Sequence, residues 1–306
     1  MEKVQWYPGH MHKASREMRE ALSGVDVVVE LLDARLPYSS ANPMLREICA
    51  QRPVVRLLTK SDMADPTWTE SWLAWYRQHH PGETRAITTS RKAEIMNLAA
   101  LCRAERPDQK GPIVAMVAGI PNVGKSTLIN ILAGKAVAKT GNEPAVTRQQ
   151  QRVAIGQDVV LLDTPGVLWP NLENPHGGFR LAATGAVRET ALSHVEVASF
   201  LVGFLAAEHM PVLVDRYAAN EVETDPESIL QDIGRRRGCL GPGGMVDLDR
   251  AARVLLNDFR SGALGRITLE TPAMLEEEWI SVAMEREEKA RRKAERKATR
   301  KGRNVG

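Results

Sequence analysis

The chain has little of what marks a secreted or membrane-bound protein. Only three cysteines occur among 306 residues, Cys49, Cys102 and Cys239, and they stand far apart. They suit reduced cytosolic thiols better than a disulfide framework or a zinc knuckle. No apolar run is long enough to cross a bilayer. The opening stretch, MEKVQWYPGHMHKASREMRE, lacks the apolar core of a secretory signal. A cytoplasmic location with no membrane contact is therefore expected. A large net charge is missing too, since the total is only +3. The basic residues gather at one end instead. Residues 289–303, KARRKAERKATRKGR, hold nine Lys or Arg and one Glu, a net of +8, which leaves −5 for the rest. Such a run reads as an arm for nucleic acid or another polyanion, with Arg291, Arg292 and Lys293 as candidate contacts. The plainer alternative is a solvated end that aids solubility.

What remains is a globular composition, 43% hydrophobic and 26% charged. The length allows one α/β domain and a smaller second one. Apolar, β-branched segments at 25–34, 53–60, 84–90, 112–119, 151–155 and 159–165 read as strands. Helical stretches lie between them. One carries Trp68, Trp72, Trp75 and Tyr76 and ends at Pro81-Gly82; its tryptophans are expected to pack rather than to stack on bases. Strands alternating with helices imply an α/β fold with a mostly parallel sheet. Beyond Pro175 the pattern turns helical, with 191–210 expected in the core and 247–262 bounded by an Asp cap and a Gly stop. The expected organisation is an α/β domain over 1–174, a small helical domain over 175–280, and a basic helical or disordered tail over 281–306.

The most specific motif is Gly119-Ile120-Pro121-Asn122-Val123-Gly124-Lys125-Ser126, followed by Thr127. It fits G-x-x-x-x-G-K-[ST] in full, after an apolar strand and before a helix. Glycines let successive backbone amides turn inward and cradle phosphate oxygens. The new helix points its positive end at the same anion. Lys125 supplies a point charge to the β- and γ-phosphates, and Ser126 a hydroxyl for Mg²⁺. Downstream, Asp163-Thr164-Pro165-Gly166 closes an apolar strand. Asp163 is the candidate metal carboxylate, and the Gly166 amide the candidate γ-phosphate sensor. Between these motifs, Thr147 is the candidate switch threonine on Mg²⁺.

Thr59-Lys60-Ser61-Asp62 matches the [NT]-K-x-D pattern of base recognition. A carboxylate at Asp62 can accept both N–H donors of guanine's N1/N2 edge, a pair adenine lacks. The Lys60 stem can lie along the base plane. Thr89 and Ser90 end the next strand and are weaker candidates beside the base. The order is unusual: base recognition precedes phosphate binding. A site in a sheet depends on where strands lie, so a circular permutation preserves the pocket. The permutation also leads the chain from the γ-phosphate motif straight into the helical region. Nucleotide state is thus expected to pass through residues 163–185.

With these motifs in place, the sequence resembles the YlqF/RbgA family of circularly permuted ribosome-biogenesis GTPases. The resemblance rests on WYPGHMHKA (6–14), LDARLP (32–37), TKSD, GIPNVGKS, PAVTR, DTPG, GRRRGCL (234–240) and NDFRSGALGRITLETP (257–272). It covers nearly the whole chain apart from the basic tail. It implies a circularly permuted P-loop GTPase domain and GTP hydrolysis stimulated by a precursor of the large ribosomal subunit. It also implies a helical C-terminal domain that contacts ribosomal RNA, for which Arg235, Arg236 and Arg237 are candidates. No obligate protein partner is implied. Val167 and Leu168 stand where Ras-type enzymes carry a water-orienting Gln, so slow intrinsic hydrolysis is expected. The family resemblance assigns the water to His10. It also suggests that Asn122 helps hold a K⁺ at the phosphates. No arginine finger can be picked out, and Asp33 and Arg35 are expected to pair structurally. A GTP-dependent protein-binding switch without RNA contact is the alternative reading.

Overall fold

The computed structural model describes residues 20, 22–49, 52–137, 151–156, 158–164, 174–187, 192–220 and 222–303. Among the described residues six strands form one sheet: β1 (Val27–Asp33), β2 (Val54–Thr59), β3 (Thr84–Ala86), β4 (Ile113–Gly119), β5 (Gln151–Ile155) and β6 (Val159–Asp163). Their spatial order is β3-β2-β1-β4-β6-β5. All neighbours are parallel except β5, which runs antiparallel to β6 at one edge. The chain steps outward from β1 to β3, then returns to the centre at β4.

Alternation along each strand sends side chains to opposite faces. In β1, Val27, Val29 and Leu31 join the larger hydrophobic core, while Val28 and Leu32 face two smaller clusters. In β4, Ile113, Ala115 and Val117 point one way, Met116 and Ala118 the other. Burial on both faces is what a parallel sheet requires. Helices α1 (Pro43–Ile48), α2 (Pro66–His79), α3 (Lys92–Met96), α4 (Leu98–Ala104) and α5 (Lys125–Ala133) connect the strands. The helix expected over 91–105 is two, because Asn97 caps the end of α3 and the start of α4. The strand expected over 84–90 stops at Ala86, and Thr89 and Ser90 lie in the turn beyond it.

The remaining helices are α6 (Pro175–Ala183), α7 (His194–Glu208), α8 (Met210–Tyr217), α9 (Pro226–Arg236), α10 (Leu248–Ser261) and α11 (Pro272–Arg303). Ser193 and Glu196 form a reciprocal capping box at the start of α7. Pro211 in the first turn of α8 forces the break that ends α7. Asp247 caps α10, and Gly262 stops it in the left-handed conformation, as the sequence predicted. A Cβ on Gly234 would lie 2.3 Å from a Val246 methyl and 3.2 Å from Ala251, so glycine lets α9 pack closely there. Among the described residues no single helix is long and apolar enough to cross a membrane. The apolar pair α7 and α8 bends by 112° and buries Val197, Leu201, Leu205 and Leu213. All three cysteines are buried free thiols.

The last part of the chain returns to the sheet. Ile267 N–H donates to the Met63 carbonyl at 3.0 Å, and Leu269 N–H to the Arg35 carbonyl at 2.7 Å. Asp65, the N-cap of α2, donates its own N–H to Thr268 Oγ1 at 3.0 Å. Trp72 of α2 is fully buried and donates Nε1–H to the Glu270 carbonyl at 2.9 Å. Leu275 and Trp279 of α11 pack with Trp72, Trp75 and Tyr76, so these aromatics are packing residues, whereas Trp68, also expected to pack, is exposed. Trp72→Ala is expected to cost about 3–5 kcal/mol, by cavity formation and the orphaned carbonyl. Thermal unfolding checks this: Trp72→Ala should melt well below the parent, and Trp72→Phe should fall between them.

Candidate functional site

The carboxyl ends of four parallel strands meet at one edge of the sheet. Register pairs Asp33 with Thr59, Leu31 with Gly119, and Val117 with Asp163. The sequence motifs thus end on adjacent strands. Gly119 ends β4, and a Cβ there would lie 2.7 Å from the Leu31 carbonyl oxygen, so only glycine lets the following loop leave so close to β1. Asn122 (φ 59°) and Gly124 (φ 107°) give that loop its inward turn. Helix α5 begins at Lys125, so its free amides face the loop's concavity.

Lys125 is buried and donates to the carbonyls of Gly119 (3.1 Å) and Ile120 (2.9 Å). Burial pushes its pKa down to about 8, against the opposing pull of the Asp163 carboxylate. Asp163 is itself 1% exposed at the end of β6. The neighbouring Thr164 Oγ1 donates to the Val117 carbonyl at 2.7 Å, pinning β6 beside β4. Ser126 and Thr127 follow in the first turn of α5.

The base motif sits against this loop. Lys60 has a left-handed backbone (φ 58°). Its Nζ donates to the Asn122 carbonyl at 2.7 Å and to Asp33 Oδ2 at 3.0 Å. Thr59 Oγ1 lies 2.7 Å from the Val123 carbonyl and 3.0 Å from that of Leu32. Ser61 N–H reaches the Ile87 carbonyl at 3.3 Å, which brings the Thr88–Ser90 turn beside the motif. Asp62, Thr89 and Ser90 are exposed there. Asn122 Nδ2 donates to the Gly185 carbonyl, just past α6, at 2.6 Å. Arg260 of α10 holds the same helix end through the Ala182 and Ala183 carbonyls, each at 3.0 Å.

Sequence reasoning named Asp33 and Arg35 only as a structural pair, which they are. Arg35 Nε and Nη2 donate to Asp33 at 2.9 and 2.8 Å. It missed that Asp33 also holds Lys60. It missed a second buried cluster as well. Glu270 accepts from Tyr38 N–H, from Ser39 N–H and hydroxyl, and from Arg180. Arg180 also pairs with Glu278, at 2.5 and 2.9 Å. Charged residues ending apolar strands or lying in apolar helices were the available signal.

Arg235 pairs with Asp232 at 2.8 Å, Arg237 lies over the Tyr217 ring at 5.2 Å, and Arg236 is exposed. Arg291 is exposed on α11; Arg292 and Lys293 lie in the same helix, their side chains outside the description. His10, Thr147 and Gly166 fall outside the described residues. What is assembled is a concave amide-lined loop with a lysine and a buried carboxylate at one end. An exposed carboxylate stands at the other. That arrangement suits a purine nucleotide with its metal.

Residues 114–230 match the family described as 50S ribosome-binding GTPase. Ribosome biogenesis GTPase A of Priestia megaterium is 42% identical over 284 residues, covering 90% of this chain and 99% of that protein. Mitochondrial ribosome-associated GTPase 1 of Mus musculus is 33% identical over 300 residues, covering 87% and 90%. The crystal structure of GNP-bound YlqF from T. maritima superposes with a TM-score of 0.60 at 24% identity, covering 85% of this chain and 98% of that one. This likeness bears on the fold.

The lowered pKa of Lys125 has a measurable consequence. In the free protein the lysine loses its proton near pH 8. A polyphosphate beside it restores the charge, so binding above that pH takes up a proton. Affinity for GDP should fall as pH rises from 7 to 9, by up to ~10-fold per pH unit above the free-state pKa. Calorimetric titrations in buffers of different ionisation enthalpy should report the proton. A flat profile with no proton uptake would refute either the lowered pKa of Lys125 or its contact with the phosphates.

Proposed function

From a chain that belongs to the ribosome biogenesis GTPase A family of circularly permuted GTPases, we propose a cytosolic assembly factor that hydrolyses GTP to gate its binding and release on precursors of the large ribosomal subunit. One observation carries the nucleotide part. The Lys60 ammonium rests 2.7 Å from the Asn122 carbonyl, so base motif and phosphate loop share one pocket despite their inverted order.

In this reading Asp62 accepts from guanine N1 and N2, and the Lys60 stem runs along the base. Thr59, Thr89 and Ser90 border it. The amides from Asn122 to Thr127 cradle the phosphates, and Lys125 neutralises the β- and γ-oxygens. Ser126, Thr147 and Asp163 would hold Mg²⁺. The donor set fits, since a carboxylate and hydroxyls are hard oxygen ligands and Asp163 is buried beside Lys125. When bound, the ion neutralises charge developing on the phosphate oxygens. The Gly166 amide is the candidate γ-phosphate sensor. Water attacks the γ-phosphorus in line as the bond to the β–γ bridging oxygen breaks. No Gln follows Gly166, and the family resemblance assigns that water to His10. By the family resemblance Asn122 would also help hold K⁺, and its amide is already fixed by the Nδ2 bond to the Gly185 carbonyl. Arg236 is the arginine of its cluster best placed for RNA phosphate, and Arg291, Arg292 and Lys293 of α11 are further candidates.

Sedimentation with subunits and precursors tests the proposal. The protein loaded with a non-hydrolysable GTP analogue should travel with large-subunit particles, and the GDP form should stay at the top. Deleting 289–306 should weaken the association and flatten its salt dependence. Binding that survives ribonuclease and ignores salt would favour the protein-binding switch instead.

Turnover gives a second test. The particle should raise the rate in KCl more than in NaCl. His10→Ala should lose that stimulation, by about 10²-fold, while GTP affinity stays within a few-fold. An unaltered rate removes His10 from the reaction, and equal rates in the two salts remove K⁺.

A further inference from the structure

The buried carboxylate at the end of β1 is saturated. Asp33 Oδ1 accepts from Arg35 N–H at 3.1 Å and Arg35 Nε at 2.9 Å. Oδ2 accepts from Arg35 Nη2 at 2.8 Å and Lys60 Nζ at 3.0 Å. Burial alone would raise its pKa, but the two cations outweigh that and hold it well below the usual carboxylate range. It is charged at every working pH and cannot turn away from its partners without leaving one of them buried and unpaired.

Two consequences follow from where its partners lead. Lys60 spends its other bond on the Asn122 carbonyl, so Asp33 and the phosphate loop fix the ammonium from two sides. Without the carboxylate, a flexible four-carbon stem would keep one acceptor and lose its direction. Arg35, in turn, is anchored on α10. Its Nη1 lies 3.4 Å from the Phe259 carbonyl, and its guanidinium sits 5.0 Å from the centre of the Phe259 ring.

The geometry points to Asp33 as a positioning residue for guanine-nucleotide binding: it aims Lys60 at the base and, through Arg35, ties that aim to helix α10. The inference rests on the reading that Thr59–Asp62 receives the base. Helix α10 belongs to the C-terminal helices, so a change in their seating is felt as a change in nucleotide affinity.

Calorimetric GDP titrations of the full chain test this with a double-mutant cycle. Asp33→Asn should weaken GDP by about 10-fold, the loss of one charge-assisted hydrogen bond. Lys60→Met should weaken it at least as much. The double variant should bind no worse than Lys60→Met alone, because Asp33 acts through that lysine. Should Asp33→Asn fail to fold around an unpaired Arg35, Asp33→Asn with Arg35→Met removes the stranded charge and should show the same loss. Additive losses overturn the inference, as does a fall in melting temperature with unchanged GDP affinity. A distinct result exposes failure of the underlying site: Lys60→Met binding GDP normally, with Asp62→Asn showing no shift from GDP toward xanthosine diphosphate. That outcome sinks both readings.

Discussion

The whole arrangement depends on how the phosphate loop is seated. Asn122 and Val123 offer their carbonyls to Lys60 and Thr59, residues 62 and 64 positions away in sequence. The permuted chain puts the base motif on an earlier strand, so no short covalent path joins the two ends of the nucleotide pocket. Hydrogen bonds across the ends of β1, β2 and β4 do that work instead. Parallel register sets their spacing, and the close approach of Gly119 to Leu31 sets their depth.

A second set of buried charges docks the end of the chain onto the beginning. Asp33, Arg35, Arg180 and Glu270 are each at most 2% exposed. Burial pushes Glu270 upward in pKa, and Arg180 and the Ser39 and Tyr38 donors pull against it. Such pairs add little net stability over apolar packing, but breaking one strands its partner. They therefore act as registry pins. Leu269, Glu270 and α11 can settle against β1 and α2 in one way only. The ribosome-assembly GTPase thus carries its helical region as part of the sheet's own packing; one hydrophobic core runs from Val27 to Leu269.

Much of this was legible in the sequence. β1 and β4 are apolar and β-branched, and the phosphate loop has its full spacing, so strand, turn and helix follow from local chemistry. The α10 boundaries follow from Asp247 and Gly262. What stayed hidden was long-range. Nothing local says that Asp33 faces Lys60, or that Arg180 finds Glu270 ninety residues later. Local pattern also overran its limits. The apolar period across 91–105 passes over Asn97, where the backbone breaks. The boundary expected at 280 lies within α11, because a change from apolar to basic composition does not interrupt helix-forming residues.

That uninterrupted helix has a mechanical meaning. α11 is fastened to the body at Leu275 and Trp279 and continues to Arg303. From Ile280 to Arg303 its backbone rises ~36 Å at 1.5 Å per residue. Every basic residue of 289–303 lies on that stretch of backbone. A helix is stiff over such a length, so the contact at Leu275 and Trp279 sets where its far end points.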